Sequence, residues 1–437
     1  MAQRFIKILC QAGIKTSIMR KIFTPAVAIL LCCSVFLFQG CLKDSITHTY
    51  TYTFYEPVYK TADEVRANIK SGAPQSVERP GKIFVKGNYI FLNETDKGIH
   101  VIDNSNPAQP KNVSFINIPG NIDIAVKGNT LYADLYTDLV AIDITNPQKA
   151  ILKKVVDGVF PDRYYYGIFA GDSTKVIASW EKRDTTVSEQ MDLGGWAKNA
   201  GVFMSFAADA GGKSAAVSPY GVGGSMARFT IINERLYTVG NSDLQVFNIS
   251  NTINPAYSNK KNMGWGIETI YPFMNKLFIG SQTGMFVYSL SNPDNPVEEG
   301  KFNHVRTCDP VIADGNYAYV TLRSGSRCAG FNNELDILNL SNLSNPTLVK
   351  VYSLTNPHGL SKDGNTLFIC DGKDGLKIYD ATNVSDIKLI KKIDGIETSD
   401  VITMGGVALV VATDGLYQYD YSNLNDIHFL SKITIAN

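Results

Sequence analysis

Glu268, Asp309, His358 and Asp400 stand forty to fifty residues apart, each six residues ahead of a tight-turn glycine or its equivalent. Two kinds of chemistry would use such a set. A histidine beside carboxylates can move protons. An oxygen-rich cluster suits Ca²⁺ or Mg²⁺, and imidazole tolerates transition metals. A metal needs its ligands within about 2–2.6 Å of one point, a demanding condition for residues so far apart, and each acid capping its own loop is the plainer reading. The set is therefore read as a hydrogen-bonding rim for a polar ligand, with no metal or other cofactor assigned. Earlier units hold Gly81, Ile122, Gly167 and Ala227 at that position. Tyr165 in DRYYYG (162–167), Trp265 in MGWGIE (263–268) and Arg228 are the aromatic and cationic candidates for the same rim. Exposed aromatic rings stack on sugar faces or anchor partner proteins; burial in a sheet core explains adjacent tyrosines equally well.

No G-x-S-x-G elbow, H-E-x-x-H or C-x-x-C pair occurs. Of the five histidines, His48, His100, His304, His358 and His428, only His304 and His358 fall near the rim. GVGGS (221–225) has the glycines of a phosphate-cradling loop but lacks GK[ST] and the G-x-G-x-x-G spacing, so no nucleotide partner is read. CDGKDGLKIYD (370–380) spaces its acids like a calcium loop without the closing Glu, and a hairpin turn explains it.

The elements that must position these residues repeat along the chain. GIHVIDNSNP, DLVAIDITNP, DLQVFNISN, GMFVYSLSNP, GLKIYDATN and GLYQYDYSN are versions of one phrase. Aligning them puts an anchor at Asp103, Asp143, Asn248, Ser289, Asn339, Asp380 and Asp420. The anchor is expected to cap the following turn with its own side chain. YGIFAGDSTKVIASW (166–180) supplies the first half of a further unit in the long gap after Asp143. Each unit alternates apolar and polar β-formers in four short runs, with KGN or DGN turns and Asn-Pro breaks between them. Four strands per forty residues, repeated, predicts an all-β fold. It is a single β-propeller of four-stranded blades over 78–437, with eight blades favoured and seven the alternative. The stretch at about 181–227 reads as an insertion, and a lid over the channel mouth using Trp196, Phe203, Tyr220 and Arg228 is expected of it.

HVIDNSNP and VAIDITNP resemble the LVIVD repeat of bacterial β-propeller proteins that are often lipoproteins. That resemblance implies the fold and an envelope location, and no catalytic residue.

The N-terminus agrees with an envelope location. Met19-Arg20-Lys21 precede a short apolar run, then Gly40-Cys41, the pattern of a secretory signal ending in a lipobox-like site. Residues 1–40 are read as signal peptide, with Met19 an alternative start, and Cys41 as the lipidated residue. A single transmembrane anchor is the competing reading. Leu42 resembles outer-membrane sorting, and Lys43-Asp44 partly resembles surface-export signals of Bacteroidota lipoproteins, so the periplasmic face and the cell surface both stay open. Residues 41–77 form a tether: THTYTYTFYEP suggests an extra strand, placed on an edge blade, and TADEVRANIKSG a short helix with Thr61 and Glu64 as capping box and Gly72 as its end. Cys308 and Cys328 are disulfide candidates in an oxidising compartment. Cys370, inside a strand pattern, reads as a buried hydrophobe.

Charges balance at 41 each, but the first forty residues hold five bases and no acid, leaving the body at −5. A mildly acidic body excludes the basic stripe a nucleic-acid partner needs. The expected function is a lipid-anchored, non-enzymatic binding or scaffold module for a glycan, peptide or envelope protein. The alternative is a polysaccharide lyase or hydrolase using His358 with Glu268, Asp309 and Asp400, since propellers host both.

Overall fold

The computed structural model describes residues 46–161, 175–191, 222–304, 310–325 and 332–435. The chain forms two compact units, one of residues 1–56 and 182–203, the other of residues 57–181 and 204–437.

Among the described residues the larger unit is a ring of seven antiparallel sheets. Blades 1 to 7 span residues 80–117, 124–156, 229–262, 267–303, 311–353, 360–393 and 398–434. Their first strands touch in order round an axis, and blade 7 meets blade 1 to close the ring. Blade 2 packs directly on blade 3, so the expected eighth blade has no place between them. Of the residues that suggested it, 175–180 instead enter a long strand, Lys175–Met191, paired with Ile46–Thr61 in a two-stranded ribbon, and 166–174 lie outside the described residues. The strand foreseen at THTYTYTFYEP is therefore real but lies on no blade. The helix runs over Ala62–Ala67 with Thr61 and Glu64 as its capping box and Val65 buried. It ends at Asn68, not Gly72, because Ser71–Gly72 pairs with the fourth strand of blade 1. Among the described residues no helix is long and apolar enough to cross a membrane.

Local chemistry explains the blades. All seven anchors accept a hydrogen bond from the amide two residues on, as Asp143 does from Thr145 at 2.9 Å. The first hairpins turn on residues with positive φ, glycine in five blades, but Asn233-Glu234 and Met274-Asn275 in the other two. Every blade carries a β-bulge between its third and fourth strands. Bulges and the lysines of the fourth strands, such as Lys153, Lys260 and Lys391, protect these outer edges from pairing with other chains.

Between blades the faces are apolar and sealed by a recurring side-chain-to-carbonyl bond. Ser114 donates to Pro147 O, Asn259 to Asp294 O and Lys391 to Ile427 O. Ser431 donates to Pro107 O at 2.6 Å, repeating the contact across the junction of blades 7 and 1. That junction buries Ile83, Ile102, Ile402, Leu409 and Leu416. Asn104 and Gln418 exchange two hydrogen bonds across it.

Candidate functional site

First strands all begin on one face of the ring, the entry face, and run to their hairpin turns on the other. Five residues ahead of each turn stand Lys82, Asp123, Arg228, Thr269, Pro310, Gly359 and Asp400. Asp400 therefore lies one step further in than the sequence count placed it. The seventh turn is Gly405-Gly406, and Ser399, not Asp400, is the counterpart of Glu268 and His358.

The inner positions are consumed by structure. Asp123 is fully buried, pairs with Lys82 at 2.6 Å and accepts the Arg228 amide at 2.7 Å. The Arg228 guanidinium donates to the carbonyls of Glu268 and Ile267 at 3.2 and 3.1 Å. Asp400 is equally buried and caps its own strand through Val401 N at 2.7 Å. Of the two residues expected on the ligand rim, Arg228 thus ties neighbouring strand starts together and Asp400 caps its own.

The outer positions face the mouth. Glu268 is half-buried and accepts from Gln282 Nε2 at 3.0 Å. Beside it Trp265 is 57% exposed, held out between Gly264 and Gly266, whose φ values of +91° and +81° only glycine adopts without strain. His358 lies 3.2 Å from Asn356 through Nε2, while its carbonyl accepts from Thr321 Oγ1. Asp309, Tyr165, Cys41, Cys308 and Cys328 lie outside the described residues, as do Trp196, Phe203 and Tyr220. Among the described residues no three His, Cys, Asp or Glu side chains are grouped to hold a metal ion.

The axis itself is occupied. Val222–Gly223 pairs antiparallel with Val85 and Phe84 on the free edge of the first strand of blade 1. Ser225 Oγ, fully buried, accepts the Leu360 amide of blade 6 at 3.1 Å. A segment bonded to the inner edges of two blades lies in the channel and bridges it. The chain leaves blade 2 on the entry face, where Phe160 stacks on Phe229 at 5.5 Å, and re-enters from the hairpin face at Val222. At the two ends of the expected lid, 181–191 belongs to the ribbon and 222–225 enters the axis, while 192–221 lies outside the described residues.

Two further polar clusters lie in the blades, the first of which carried no sequence signal. His100 and Glu94, both buried, pair at 2.9 Å in blade 1. Burial pushes the Glu94 carboxyl up, but His100 and the Glu78 and Arg79 amides outweigh it and hold it below the ordinary range. In blade 6 the acids of CDGKDG are neutralised. Asp371 accepts from Thr355 N, Asn356 N and Lys377, and Asp374 is held well below the carboxylate range by Lys377 and Lys392. Cys370 is free and buried, as expected. A cleft of about 400 Å³ lies away from the hub, with Val65 and Phe115 among its walls.

A seven-bladed wheel with one decorated mouth defines the class, a β-propeller. The particular family signature follows: the LVIVD repeat model matches residues 81–117, 121–158 and 306–353, covering blades 1, 2 and 5. The chain carries LVIVD repeats, and repeats and architecture together suggest a scaffold or binding module. No curated protein matches it in sequence. Similar solved structures include the computationally designed Ika8 protein, at 8% identity and TM-score 0.49, covering 83% of this chain and 90% of that one. BamB from Moraxella catarrhalis is similar at 6% identity and TM-score 0.47, covering 86% and 97%. PorZ, a surface component of the type-IX secretion system of Porphyromonas gingivalis, is similar at 12% identity and TM-score 0.46, over 82% of this chain and 39% of PorZ.

Proposed function

We propose that the protein is a lipid-anchored module of the outer membrane whose entry face binds a glycan, peptide or envelope-protein partner without transforming it. One observation carries this reading: the inner charges Lys82, Asp123 and Arg228 are tied into structure, while Trp265 is displayed beside Glu268 and Gln282. A ring presented by two left-handed glycines, next to a carboxylate and an amide, can stack on a sugar or clamp a peptide and read its polar edge.

Retention of envelope glycans and proteins by the immobilised chain tests it. Trp265→Ala and Glu268→Gln should each weaken retention roughly tenfold, a loss typical of interface hot spots. Leu389→Ser, on the outer edge of blade 6, should leave it unchanged. Equal retention by all three variants places the site elsewhere.

A further inference from the structure

The ribbon carries an exposed aromatic face. Tyr50, Tyr52 and Phe54 are 45%, 41% and 40% exposed. Their rings follow one another at 6.2 and 6.4 Å. Alternate residues of a strand share a face, so the three form one stripe. Behind the stripe the opposite face carries threonines: Thr51 bonds Thr186 at 2.9 Å and Thr53 bonds Asp184 at 2.5 Å. Those contacts run in opposite senses along the two strands, which are therefore antiparallel. Further from the N-terminus the stripe's own face turns charged, with Glu56 and Arg183 paired at 2.7 Å. The face is thus aromatic at one end and ionic at the other.

We infer that this stripe rests in the headgroup region of the membrane bilayer, beside the lipid on Cys41, and sets the tether against the surface. The inference rests on the lipid-anchor reading above. Eight residues separate Cys41 from Tyr50, which even fully extended reach about 30 Å. An acylated Cys41 therefore keeps the aromatic end of the ribbon close to the bilayer whatever path those residues take. Tyrosine suits that location because its ring is apolar and its hydroxyl polar, and aromatic residues gather at membrane interfaces for this reason. A protein strand added to the ribbon would use its edges, and would leave this face uncovered. A phospholipid surface covers the face itself.

The test uses the full chain, processed and purified from its own membrane, in vesicles of phosphatidylethanolamine and phosphatidylglycerol carrying brominated acyl chains. Tyr52→Trp and Thr51→Trp place a reporter on the two faces of one strand, and the signal of the native tryptophans is subtracted with the parent protein. Metabolic labelling with radioactive palmitate reports acylation independently. If the inference holds, the chain is labelled, Tyr52→Trp fluorescence falls roughly twofold or more, and Thr51→Trp is spared. A labelled chain whose two reporters are quenched alike, or not at all, overturns the stripe's placement and leaves the anchor standing. An unlabelled chain overturns the anchor, and the placement with it.

Discussion

Two ion pairs show how differently the ring and the ribbon use the same chemistry. In the hub Lys82 meets Asp123 at 2.6 Å with side-chain exposures of 11% and 0%. In the ribbon Arg183 meets Glu56 at 2.7 Å with exposures of 57% and 49%. The lengths are alike; the surroundings are not. Seven blades wall the first pair off from water, whereas a two-stranded ribbon cannot bury either face. Polar groups in the ring are consequently committed to holding strand starts together, and the ribbon's side chains stay available to a surface.

That contrast can be broken by mutation. Asp123→Ala strips a buried lysine of its partner and frees the Arg228 amide. It should cost about 3–5 kcal/mol in denaturant unfolding, against under about 1 kcal/mol for Arg183→Ala. Ile83→Ala, at the closing junction of blades 7 and 1, should cost about 2–5 kcal/mol, while Tyr52→Ser should stay within about 0.5 kcal/mol.

The pH dependence sharpens the comparison. Asp336, in the third strand of blade 5, is 5% exposed and its Oδ1 has no hydrogen-bond partner. Burial, with Glu334 adding to it and His304 opposing, pushes its carboxyl up to about 6. Between its unfolded value near 4 and 6 the native state holds a proton that the unfolded chain has lost. Stability from this group is therefore full below about pH 4 and declines as pH rises through 6. Asp336→Asn should flatten that decline and gain about 1–2 kcal/mol at pH 8, read by unfolding at pH 5 and pH 8. A smaller gain is expected at Met274, which holds φ at +44° in a hairpin turn. Met274→Gly relieves the left-handed strain and should add about 0.5–1 kcal/mol.

Much of the ring was legible from residues alone. The Asp143 class of anchors announced the turn each one caps, and the KGN and DGN turns announced the hairpins. Two turns were harder, because Asn233-Glu234 and Met274-Asn275 adopt positive φ without glycine. Blade number was overcounted because KVIAS has the alternation of a blade strand, and alternation does not say which strand it will pair with. The axial segment was hidden for a related reason. Gly223 and Ser225 are small wherever they lie, and only the pairing with Phe84 and Leu360 reveals that they fill a channel. Of the seven candidate rim residues, Asp309 and Tyr165 lie outside the described residues. Trp265, Glu268 and His358 sit at the mouth, while the Asp400 register slipped by one because two glycines adjoin in its turn. Glu94 and His100 carried no signal, since nothing in a six-residue spacing distinguishes a buried pair from two surface residues.

The central claim is that seven blades close round an axis filled by the end of the insertion. Cysteines at the paired positions Val85→Cys and Val222→Cys test it most directly. Antiparallel partners have Cα separations of about 4.5–5.5 Å, within reach of a disulfide. Mild oxidation of the folded protein should join the two peptides in high yield, as read by mass mapping. Two thiols that remain reduced under the same conditions would mean an open axis and contradict the account.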